Sequence, residues 1–148
     1  MKRLPVLLLV FLLTAGAERA NEDAAAEDLK RMEGDWVVAS MEVEGMKVPD
    51  DDAMALFRSV KGDRYTVSRY RKVVGKGTIK LDATKKPRAI DALPDGATHK
   101  TKPLLGIYEF EGNKMKLCFA RPGMARPTEF RSKEDSGHTL TVWQREKE

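Results

Sequence analysis

Residues 104–120 constrain the fold more than any other part of this sequence. Tyr108 and Phe110 alternate with Glu109 and Glu111, and Met115, Leu117 and Phe119 alternate with Lys114 and Lys116. A period of two puts the apolar set on one face of a sheet and the charged set on the other. Gly112-Asn113 between the two runs is a two-residue connection of the kind that needs positive φ. The segment therefore reads as an antiparallel hairpin with one face in a core and the other in water.

Shorter runs of the same kind recur along the chain. Residues 35–43 open the sheet, residues 64–70 follow the turn Lys61-Gly62-Asp63, and residues 77–82 turn Ile79 and Leu81 inward. Pro87 limits the next run to residues 88–93, and residues 139–145 close the sheet. Residues 50–60 have two readings. Asp50, Asp51 and Asp52 cap a helix running through Ala53, Leu56 and Phe57, or residues 56–60 form a strand paired with 64–70. One helical turn followed by the strand is the favoured reading. With no internal repeat and no helix long enough for a bundle, the pattern predicts an all-β fold. The expected form is a small antiparallel up-and-down barrel of about eight strands with at most one short helix.

The N-terminus has the three parts of a secretory signal: basic Lys2 and Arg3, an apolar run over residues 4–13, then Ala15-Gly16-Ala17 for cleavage. About ten apolar residues fall short of the roughly 20 that a bilayer span needs. No cysteine follows the run to carry a lipid. The expected organisation is a signal peptide over 1–17, a polar lead-in over 18–30 and a barrel domain over 31–148. The expected location is periplasmic or secreted, with no integral membrane anchor after cleavage. The alanine-rich, acidic lead-in suits a short helix or a disordered segment and is expected to carry no site.

Removing the signal takes away two cations and no acids, leaving 25 basic residues against 23 acidic and a net charge of +2. The sequence pI of 9.2 therefore does not mark a nucleic-acid binder, which concentrates charge on one face with aromatics between. About 130 remaining residues bury one core without metal or disulfide staples. The lone Cys118, in the apolar run 115–120, reads as a buried free thiol acting as a small hydrophobe.

Residues able to carry chemistry are few. His99 and His138 stand alone in turn-rich contexts, without a second ligand at a metal spacing, and read as solvent-exposed loop histidines. Asp50-Asp51-Asp52 lacks the alternating oxygens, glycine and distal glutamate of a calcium loop. Gly75 and Gly77 have no following helix and read as a bend or bulge, and Ser136-Gly137-His138 reads as a turn before the last strand. No catalytic motif, metal site or cofactor site is expected, and the chain is read as a non-enzyme.

One pair is more specific. Gly34-Asp35-Trp36 opens the first strand and Arg145 ends the last. In a closed barrel those strands are neighbours, so the guanidinium can lie over the indole and seal that end. The plainer alternative is a buried Trp36 and an exposed terminal arginine.

Gly34-Asp35-Trp36 resembles the Gly-x-Trp motif of lipocalins, with Arg145 placed like the arginine that packs over that tryptophan. A closer resemblance, over nearly the whole chain that follows the signal, is to the small uncharacterised lipocalin-like domains of exported planctomycete proteins. It is carried by Val43-Glu44-Gly45, by residues 77–87 with Ile90-Asp91, and by Leu105-Gly106-Ile107-Tyr108. Cys118-Phe119-Ala120-Arg121-Pro122 and Arg126-Pro127-Thr128-Glu129-Phe130 extend it. The resemblance implies a calycin-type barrel and brings no assigned ligand, partner or catalytic residue.

Two functions fit such a barrel. In the first it binds a small apolar or amphipathic ligand, with Tyr65, Val67, Tyr108, Phe110, Leu117 and Phe119 facing the apolar part. Arg69 or Arg88 then holds an anionic head group, if their side of the strand faces inward; the plainer reading has both arginines at strand ends in solvent. In the second, an envelope protein-protein interaction or inhibitor module has a filled core and uses loops such as residues 121–127. A cavity of several hundred Å³ separates the two.

Overall fold

A computed structural model of the chain describes residues 8–147, with side chains from Gly16 onward. Helix α1 (Leu8–Met32) leads into strand β1 (Gly34–Val43). Alanines with no β-branched run favour the helix over its second half, and Lys30 and Arg31 complement the negative end of its dipole in the last turn. Residues 1–7 of the expected signal lie outside the described residues, and residues 8–17 are helical. The lead-in at 18–30 is helical throughout. Among the described residues no helix is long and apolar enough to cross a membrane.

Strand β2 (Met46–Lys47) and the single turn α2 (Asp50–Ala53) follow β1, and then β3 (Leu56–Lys61), β4 (Arg64–Arg69) and β5 (Lys72–Asp82). The chain continues as β6 (Ala89–Pro94), β7 (Leu104–Glu111), β8 (Lys114–Ala120) and β9 (His138–Arg145). Every pairing is antiparallel: β1 lies between β2 and β3 at that end of the order, from β3 onward each strand is beside the next, and β9 returns to β1. Strands β1 and β3 to β9 thus close an eight-stranded barrel, and β2 is an extra strand on the far end of β1. One edge of β1 meets β3 over Gly34 to Val37, and the other meets β9 from Trp36 to Val43.

The expected hairpin is β7–β8, with Gly112 at φ +61°. The favoured reading of residues 50–60 matches α2 followed by β3. Strand β5 begins at Lys72, five residues before the expected start. The register slips between Val67 and Ser68, so that Val74 is the extra residue of a bulge. His138 begins β9 half-buried and is not a loop residue, because Ser136 closes the preceding turn by accepting from the amide of His138.

Two apolar clusters result from the strand alternation. The inward set includes Trp36, Val60, Tyr65, Ile79, Ile90, Tyr108, Met115, Leu117 and Trp143. Ala89, Ile107 and Cys118 face the other way and are buried as well. Residues 121–137 cover that outer face. Arg126 donates to the carbonyls of Ile90 (3.1 Å) and Gly106 (2.8 Å) and to Asp91 (2.7 Å), and the Cys118 thiol donates to the carbonyl of Arg131 at 3.6 Å. The expected partner-contacting loop, residues 121–127, is thereby tied to the barrel wall at Arg126. Burial raises the pKa of the Cys118 thiol above its ordinary value.

Candidate functional site

Helix α1 seals one end of the barrel. Its Met32 is fully buried, and the Met32 carbonyl accepts from Trp36 Nε1 at 2.8 Å. The guanidinium of Arg145, the cross-strand partner of Trp36, lies 4.3 Å from the indole centroid. It also donates to the carbonyls of Glu33 (2.7 Å) and Arg31 (2.5 Å). Gly34 has φ +119°, and a Cβ there would come within 2.8 Å of Arg145 Nη1. A glycine is required for both reasons.

The lead-in contributes the best-buried carboxylate. Asp28 is 3 % exposed and accepts from Tyr108 Oη (2.7 Å) and Arg88 Nη1 (2.5 Å). Burial, then the bond to Asp28, raises the Tyr108 hydroxyl well above its ordinary pKa. Arg31 stacks 4.1 Å from the centroid of Phe110, which meets Tyr108 edge-on at 6.0 Å. A cleft of about 420 Å³ opens to the surface between these residues and the β5–β6 turn. The buried members of this floor, Asp28 and Tyr108, are partnered to each other and to Arg88, whereas Arg31 has only the Phe110 ring and Lys85 and Lys86 on the cleft form no ion pair among the described residues.

The wall above it is different. Leu56, Arg58 and Val60 alternate inward on β3, and Arg58 is 5 % exposed. Its cross-strand neighbours are Trp36 on β1 and Val67 on β4, and its guanidinium lies 5.2 Å from the centroid of Tyr65. Neither Nε nor Nη2 has a hydrogen-bond partner. Burial pushes the group down to about 10, with the Tyr65 hydroxyl opposing weakly, so it stays charged at neutral pH. That displacement corresponds to a penalty of roughly 3 kcal/mol on the charged form. Burial also raises the Tyr65 hydroxyl.

The positions expected to line a ligand thus separate. Tyr65, Tyr108 and Leu117 are buried; Val67, Phe110 and Phe119 are half-buried and packed on the core. Tyr108 and Phe110 belong to the helix-sealed floor, whereas Tyr65 and Val67 adjoin Arg58. Neither expected head-group arginine faces the interior. Arg69 is exposed because β4 ends there in the turn at Tyr70, and Arg88 lies just before β6, half-exposed and paired with Asp28. Sequence reasoning missed Arg58 and Asp28. The parity of Leu56, Arg58 and Val60 was the available signal for the first, and the helical spacing of Asp28 and Met32 for the second.

Among the described residues no three His, Cys, Asp or Glu side chains gather as a metal site. Comparisons with family models, with curated proteins and with solved structures returned no match.

Proposed function

We propose that the barrel binds a small anionic ligand, a carboxylate or a group of like geometry, through Arg58. The observation that carries this reading is the buried guanidinium with two unpartnered nitrogens. A planar fork of donors matches the two oxygens of a carboxylate, and a buried cation without an acceptor is costly until one arrives. Ala92 leaves one small position on the inward wall, whereas the Phe119 ring occupies the space at Gly106 and the backbone of Leu93 and Pro94 that at Gly77. The half-buried Val67, Leu104, Phe119 and Met41 suit a short apolar tail. A long chain does not suit an interior already holding two tryptophans and Tyr108. On this reading the protein is an exported lipocalin-like binder, not an enzyme, and it needs no cofactor.

The test is a titration with acetate, butyrate, hexanoate, inorganic phosphate and the methyl esters of the acids. Trp36, beside Arg58, reports by fluorescence on wild type and on Arg58→Met. Saturable binding of an acid, weaker for its ester and lost in the variant, is expected. No saturable binding of any anion rejects this reading. It leaves the envelope protein-protein interaction or inhibitor module, which the continuous packing of the interior favours. Export is read from the N-terminal pattern. Intact-mass analysis of protein made in an exporting host should give a chain starting near Glu18, and an uncleaved chain counts against it.

A further inference from the structure

We infer that the tip of the β4–β5 hairpin docks the barrel on an anionic lipid surface. Tyr70, Val73 and Val74 are 67 %, 58 % and 61 % exposed. The amide of Tyr70 donates to the carbonyl of Ala55 at 3.0 Å, which joins the tip to the α2–β3 connection. These three apolar side chains have no packing role in the barrel core.

Charge identifies what covers them. From Arg64 to Leu81 the chain has six basic residues and no acidic one. Arg64 pairs with Asp95, whereas Arg69, Arg71, Lys72 and Lys76 form no ion pair among the described residues and are exposed. Cations flanking exposed aliphatic and aromatic groups at a hairpin tip fit a bilayer of negative surface potential. There the apolar groups enter the interfacial layer and the cations meet head-group phosphates. A protein partner would need a complementary hollow of its own.

The tip also holds an unfavourable backbone. Tyr70 and Arg71 take φ +50° and +65°, a two-residue turn for which asparagine and glycine are the usual occupants. Large side chains persist at these positions although they strain the turn. Their exposure puts Tyr70 at the point of first contact.

The experiment is co-sedimentation of the full chain with phosphatidylcholine vesicles, with and without phosphatidylglycerol, at low and high salt. The N-terminal apolar run is common to all variants, so the readout is the difference between them. Wild type should bind the phosphatidylglycerol vesicles, bind pure phosphatidylcholine far less, and release as salt rises. Each of Arg69→Gln, Arg71→Gln and Lys72→Gln should weaken binding about fivefold, and Tyr70→Ser with Val73→Ser and Val74→Ser should abolish it. Tyr70→Trp should shift its emission to the blue on anionic vesicles. Failure of wild type to discriminate the two vesicles overturns the proposal. So does unchanged binding by the triple serine variant. Binding to soluble polyglutamate that survives the serine changes overturns it in favour of an acidic protein partner. All substitutions lie on exposed residues, and circular dichroism melts check that each variant folds.

Discussion

Trp36 has an arginine on each neighbouring strand, and the two have opposite surroundings. Arg145 on β9 lies over the indole, reaches solvent and donates to two carbonyls at the end of α1. Arg58 on β3 points into the barrel, where it has an aromatic face and two nitrogens without an acceptor. Both are one residue from the same ring along the ladder. The fold supplies everything the first needs, so its role is complete in the isolated chain. For the second the fold supplies the cost of burial without the compensating acceptor, and that asymmetry is why we propose Arg58 as the binding group.

The comparison can be broken most severely at its shared centre. Trp36→Ala should destabilise the protein by about 3–5 kcal/mol, as for other fully buried aromatics. An unchanged urea midpoint would mean that neither arginine is held by the indole. Arg58→Met should act in the other direction and stabilise the unliganded barrel by about 1–4 kcal/mol, since it replaces a buried charge by an apolar chain of similar volume. A loss of stability would show that Arg58 already has its partner.

The pH dependence of that gain has a definite sign. Burial lowers the folded-state pKa to about 10, below the ordinary arginine value. Above it the unfolded chain binds the extra proton, and stability contributed by this group rises with pH. The advantage of Arg58→Met should therefore be full below about pH 9 and shrink by about pH 11. An advantage constant across that window would contradict the burial of the charge. Arg145→Met should have the smallest effect, a loss of about 1 kcal/mol from the cation–π contact and two partly exposed hydrogen bonds.

How much of this was legible follows from where each residue lies. The β7–β8 hairpin is written locally: alternation fixes the faces and Gly112 fixes the turn. Trp36 and Arg145 could be paired because barrel closure makes the first and last strands adjacent whatever the loops do. Arg58 was hidden by the ambiguity of residues 50–60, because a residue without an assigned period has no assigned face. Asp28 was hidden for another reason: among Glu22, Asp23 and Glu27 it looks like one more solvated acid. Only the docking of α1 on Tyr108 and Arg88 singles it out. The cover formed by residues 121–137 has no period at all, and it is held by backbone carbonyls that sequence does not display.

The β1–β9 seam also sets an order of events. The contact between Arg145 and Glu33 spans 112 positions, so the ring stays open until almost the whole polypeptide has been delivered. A nascent chain ending before His138 has seven strands of the barrel and no closing partner for the second half of β1. Long-range closure of this kind is slow relative to local hairpins. A chain threaded through a narrow pore would thus arrive with its strands still separable, and it would gain its final shape only on the far side.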